Sequence, residues 1–156
     1  MPRSPRNPGL PRRQHLGKAM LLPHAASYVR DRSLHWHLAL ATFLIGKGNR
    51  HLLAELIKTL YMAWYLREEG FGETGIEDYL EAERVLAGTA RISSRDIWLI
   101  EAADSVAIVR ILDVHERQLL AAPAWAVMEA TMRLANFGMR DKKSPWRTSV
   151  DRFGSM

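Results

Sequence analysis

The sequence predicts an all-α protein, a compact bundle of about five helices. Apolar residues recur at helical spacing in five stretches, each bounded by Gly, Pro or a capping residue. The apolar run that lacks this period, Ile97-Trp98-Leu99-Ile100, is too short and too solitary to build a sheet. The composition, 47% hydrophobic and 25% charged over 156 residues, is that of an ordinary globular domain with enough core to need no staple.

The first predicted helix covers residues 34–45, L-H-W-H-L-A-L-A-T-F-L-I, with Ser33 as its cap and Gly46-Lys47-Gly48-Asn49 as its close. Such a run is too short to cross a bilayer and reads as a core helix. The second, residues 52–66, is the most apolar stretch and the one around which the chain is organised. Leu52, Leu53, Leu56, Ile57, Leu60, Ala63 and Trp64 share one half of it, and Glu55, Lys58 and Thr59 share the other. In its last two turns Met62, Tyr65 and Leu66 take over the side that was polar upstream. A helix apolar nearly all round is either wrapped by its own domain or offers a second face to a partner.

Gly70 suits a left-handed cap after the second helix. Thr74 with Glu77 predicts a capping box opening the third helix, which runs through Ile76, Tyr79, Leu80, Val85 and Leu86 to a stop at Gly88-Thr89. Asp104 or Ser105 caps a fourth over residues 106–121, and Pro123 suits the first turn of a fifth. That last helix passes through Trp125, Met128, Met132, Leu134 and Phe137 to a cap at Gly138. Trp36, Trp64, Trp98 and Trp125 fall on four different apolar elements and are expected to share one core.

The net charge of +5 conceals a division. Residues 1–32 carry Arg3, Arg6, Arg12, Arg13, Lys18, Arg30 and Arg32 against Asp31, and residues 139–156 are also basic. The segment between them, residues 33–138, is mildly acidic. The chain is therefore expected to comprise a disordered Pro- and Arg-rich segment (1–32), a helical domain (33–138) and a basic tail (139–156). Arg3, Arg6, Arg12, Arg13, Lys142 and Lys143 are the candidates for weak, sequence-independent contact with nucleic acid. There is no cysteine, which excludes disulfides and thiol catalysis and suits a reducing cytoplasm.

Catalytic and cofactor motifs are absent from the sequence. His115-Glu116 lacks the second histidine of a zinc-protease helix, and Leu112 occupies the acid position that a di-iron Glu-x-x-His would need. His51 and Glu55, one turn apart, form half a site without a second pair. No metal or other cofactor, no membrane and no small-molecule substrate is implied. Glu116, between Leu112 and Leu120 on an apolar stripe, is the candidate buried acid, as a group of raised pKa or as a peripheral glutamate satisfied by Arg117, Arg133 or water. An enzyme would require His51, Glu55, His115 or Glu116 to converge in space.

Over about 25 residues, Glu68-Glu69-Gly70-Phe71, Thr74, Ile76-Glu77-Asp78, Val85 and Gly88-Thr89 resemble the helix-turn-helix of the TetR family of repressors. The departures are Arg84 at the turn glycine, Leu86 for the usual serine and Ala90-Arg91 for the DNA-touching pair. This resemblance implies a DNA-binding regulator with its reader at about residues 74–95, in a segment that is acidic where a DNA reader is ordinarily basic. The residues themselves favour a non-enzymatic regulatory or accessory protein that acts through protein–protein interaction or self-association, as a homodimer. Met62, Tyr65, Leu66, Met128 and Met132 are its expected contact residues, since methionine and aromatic side chains are enriched at interfaces.

Overall fold

A computed structural model describes residues 17–72, 74–140 and 144–146. It contains five α-helices, and no strand occurs among the described residues: α1 (Ala26–Leu44), α2 (Arg50–Glu68), α3 (Ile76–Ile92), α4 (Ala102–Ala121) and α5 (Ala124–Arg140). Helix α2 lies at the centre and packs against each of the other four, while α4 closes the far side against α1, α2 and α3. The expected bundle is therefore present, with several boundaries displaced.

Helix α1 begins at Ala26, well before Ser33, so Ser33 is not a cap. The inward stripe explains the earlier start. Val29, Ser33, Trp36, Leu40 and Phe43 repeat at alternating four- and three-residue steps and are all buried, so the helix extends back as far as Val29 has a core to enter. Before it, a short 3-10 turn (Lys18–Leu21) is held to the start of α5, where the Ala124 amide donates to the Leu22 carbonyl at 2.9 Å. Asn49 caps α2 by accepting from the Leu52 amide at 2.9 Å.

The expected capping box of α3 does not form. Gly75 stands at its N-cap without a side-chain bond, and the Thr74 carbonyl instead accepts from Arg67 Nε at 2.7 Å. Nor does Gly88-Thr89 stop this helix. Ala82, Val85, Leu86 and Thr89 are buried at helical spacing, and packing of that face against α4 outweighs the roughly 1 kcal/mol that an interior glycine costs. The chain leaves α3 through the 3-10 turn Ser93–Arg95 and Asp96, whose φ is 59°. Residues 97–100 have no regular secondary structure and hydrogen-bond to the end of α1 and the α1–α2 connection through Ile100 N to Phe43 O (3.1 Å) and Gly48 N to Trp98 O (3.4 Å). Helix α4 starts at Ala102, placing Asp104 within its first turn instead of at its cap.

The largest correction concerns the tail. Trp146 is only 1% exposed and is among the largest fully buried side chains of the described residues. Its ring lies edge-on to Tyr61 (5.5 Å) and Trp64 (5.6 Å), with Tyr79 at 6.2 Å, and its Nε1 donates to Glu83 at 3.1 Å, beside the Ser144 hydroxyl that also bonds Glu83. Trp36 and Trp64 are core residues as expected, whereas Trp98 and Trp125 are only partly buried. The aromatic centre of the bundle thus depends on a tryptophan whose polar, basic sequence context reads as a tail.

Candidate functional site

Two places on the bundle are chemically distinctive, and helix α1 contributes to both. The first is its outer face. Residues 33–45 contain no Lys, Arg, Asp or Glu, yet Leu34 (58% exposed), Leu38 (57%), Ala41 and Ile45 (69%) face solvent at steps of four, three and four. This is heptad spacing, about 150° around the helix from the buried stripe. No described helix covers it.

The contact residues expected from sequence are placed differently. Leu66 (0% exposed) and Tyr65 (5%) belong to the core, so they present no surface to a partner. The last turns of α2 are enclosed, with Ala63, Trp64, Tyr65 and Leu66 all buried, which answers the choice left open by its apolar end. Burial raises the Tyr65 phenol above its ordinary pKa, and Arg133 lies 4.5 Å over its ring while bonding Glu68 at 2.8 Å and Glu69 at 3.4 Å. Met62 is partly buried against α5, with the Thr131 hydroxyl 4.0 Å from its sulfur. Met128 (47%) and Met132 (56%) are exposed, one turn apart on α5.

The second place is a cavity of about 230 Å³ lined by four helices. Tyr28, Arg32 and Trp36 come from α1; Glu55, Lys58, Thr59 and Met62 from α2; His115 and Leu119 from α4; and Val127, Thr131 and Leu134 from α5, with His24 at the edge. Arg32 lies over the Trp36 ring at 5.4 Å, and no carboxylate among the described residues pairs with it. Lys58 and Glu55 face each other at 3.4 Å. Of the four residues whose convergence would mark an enzyme, the cavity brings together Glu55 and His115, and it leaves out His51 and Glu116.

His115 is the unusual group here. It is 2% exposed, its ring lies 5.0 Å from Trp36, and burial lowers its pKa to about 4, so the imidazole is neutral at physiological pH. Its tautomer follows from the hydrogen-bond network. The Gln118 amide nitrogen donates to the carbonyls of Ala63 and Phe71, both at 2.9 Å, which fixes its oxygen toward His115 Nδ1 at 3.2 Å. Only an imidazole protonated on Nδ1 can donate to that oxygen, and Nε2 is left as an acceptor. Gly72 makes the arrangement possible. It takes φ 87°, and a Cβ there would come within 3.2 Å of the Gln118 side chain.

Glu116 lies just outside the cavity and is half-buried. Neither Arg117 nor Arg133 satisfies it; the Ser33 hydroxyl donates to its carboxylate at 2.5 Å from the facing helix. Among the described residues no cluster of three or more His, Asp or Glu side chains could hold a metal ion, and no helix is long and apolar enough to cross a membrane. Arg3, Arg6, Arg12, Arg13, Lys142 and Lys143 lie outside the described residues. The expected helix-turn-helix at 74–95 is not formed, because α3 passes unbroken through Arg84, Val85 and Leu86, where the turn would have to be. Comparison with known proteins finds no family model, no curated protein and no solved structure that matches the chain.

The cavity was missed in the sequence because its parts are scattered over four helices. Its one local signal was an imidazole on an apolar stripe: Ile108, Ile111, Leu112, His115 and Leu119 share the buried side of α4. From sequence, His115 reads as a metal-ligand fragment or as one member of a convergent catalytic set, and neither reading points to Arg32 or Trp36.

Proposed function

We propose that this chain is a non-enzymatic helical accessory protein that works by self-association through the outer face of α1. The supporting observation is that face itself, part of a run of residues 33–45 without a charge, from which Leu34, Leu38 and Ile45 stand in solvent. Monomeric surfaces seldom carry such a continuous apolar strip, and covering it is favourable by roughly 25 cal/mol per Å² of apolar surface removed from water. A second copy of the chain is the occupant that fits best. Residues 34, 38, 41 and 45 follow the a/d steps of a helix pair, so the stripe is complementary to itself about a two-fold axis. Met128 and Met132 on α5 are the remaining exposed candidates for contact from the sequence reading.

Light scattering on the wild-type chain and on a Leu34→Glu, Leu38→Glu variant tests this. The wild type is expected to have the mass of a dimer, and the variant to be a monomer of unchanged helicity by circular dichroism, because both positions are exposed in the single chain. A wild type that stays monomeric at every concentration, or a variant that stays dimeric, overturns the proposal.

A further inference from the structure

We propose that the cavity between α1, α2, α4 and α5 binds a small carboxylic acid with an apolar body and a hydrogen-bond donor away from its carboxylate. Each part of that description answers a group lining the cavity. Arg32 is a cation without a carboxylate partner among the described residues, and it is half-buried over the Trp36 ring. A guanidinium so placed suits a carboxylate, which it can hold with two parallel bonds. Lys58 is already opposed by Glu55 at 3.4 Å, so the charged lining retains one surplus positive charge.

Trp36, Met62, Leu119, Val127 and Leu134 supply an apolar wall suited to a flat or branched hydrocarbon body. His115 supplies the polar end. Its Nδ1 proton is committed to Gln118, and no described residue donates to its Nε2. An acceptor on the cavity wall that the protein leaves to solvent is open to a ligand O–H or N–H in place of water. The volume of about 230 Å³ is small beside the cavities of drug-sized ligands and suits a compact acid.

The inference is independent of the dimer, since Arg32 and Trp36 lie on the inner side of α1 and Leu34 and Leu38 on the outer. Titration calorimetry on the full chain with three probes tests it. 4-Hydroxybenzoate carries both features, benzoate lacks the donor, and 4-hydroxybenzamide lacks the charge. 4-Hydroxybenzoate is expected to bind at millimolar concentration or below, with each of the other two about tenfold weaker. Arg32→Gln, at a half-exposed position, is expected to bring 4-hydroxybenzoate down to the level of the amide while leaving the amide unchanged. The absence of 4-hydroxybenzoate binding, equal binding of all three probes, or indifference of the acid to Arg32→Gln overturns the assignment. Because the probes vary the donor without altering His115, the result does not depend on a core variant remaining folded.

Discussion

Helices α1 and α2 each carry a long apolar run, residues 34–45 and 52–66, and the bundle treats them in opposite ways. Helix α2 looks like the one with a face to spare, since Met62, Tyr65 and Leu66 break its polar side, yet it lies at the centre and touches every other helix. Helix α1 looks like an ordinary core helix, yet it buries Val29, Trp36, Leu40 and Phe43 and leaves Leu34, Leu38 and Ile45 in water. Hydrophobicity measures how much surface a helix would bury, whereas the number of neighbours decides how much it does bury. Four neighbours enclose the apolar end of α2, whereas α1, packed against α2 and α4 on its inner side, retains an outer apolar face among the described residues.

The sharpest way to break this contrast is to truncate side chains on the α2 side. Trp146→Ala removes a buried ring that stands against Tyr61, Trp64 and Tyr79 and is expected to cost about 3–5 kcal/mol of stability in chemical denaturation. A loss below about 1 kcal/mol would return Trp146 to the solvated tail that its sequence context suggested.

His115 sharpens the comparison through pH. Its pKa is lowered from an ordinary 6.5 to about 4 in the folded chain. Above pH 6.5 it is neutral in both folded and unfolded states and adds no pH dependence. Between those two values the unfolded chain takes up a proton that the folded chain refuses. The associated stability is therefore lost as pH falls, by roughly 3 kcal/mol in total at about 1.4 kcal/mol per unit. Denaturation midpoints measured over this range for the wild type and His115→Gln should differ in slope, with the variant flatter. Equal slopes would mean that His115 is solvated and that the cavity is more open than described.

The smallest effect is expected on α1. Leu38→Ala removes the same side chain as a core truncation would, but from an exposed position. It should change the stability of the single chain by no more than about 0.5 kcal/mol. If α1 carries the proposed self-association, the same substitution should weaken it, as light scattering over a concentration series would show. A loss of several kcal/mol in a dilute monomer would show that Leu38 is covered by the chain itself.

The number of helices, their order and the left-handed cap at Gly70 (φ 94°) follow from local chemistry, namely apolar spacing, glycine and proline. Helix ends were less legible, because tertiary packing outweighs local signals. Ser33 has the chemistry of a cap, but it faces a glutamate 83 positions away. Thr74 and Glu77 have the spacing of a capping box, but Arg67 takes the Thr74 carbonyl. Gly88 reads as a stop, but the core continues beneath it to Thr89. The DNA-reader resemblance failed for the same reason, since the turn it required lies inside a helix that α4 holds straight.

The sequence by itself determined that this chain is an all-helical bundle without cysteine chemistry, because periodicity and composition act residue by residue. Only the tertiary structure decided which apolar faces meet. It filled the aromatic centre with Trp146, left the outer stripe of α1 without a described helix over it, and brought Arg32, Trp36 and His115 around one cavity. Those outcomes depend on contacts between residues far apart in the chain. A pattern read along one helix establishes that a face is apolar, but not which other helix, if any, arrives to cover it.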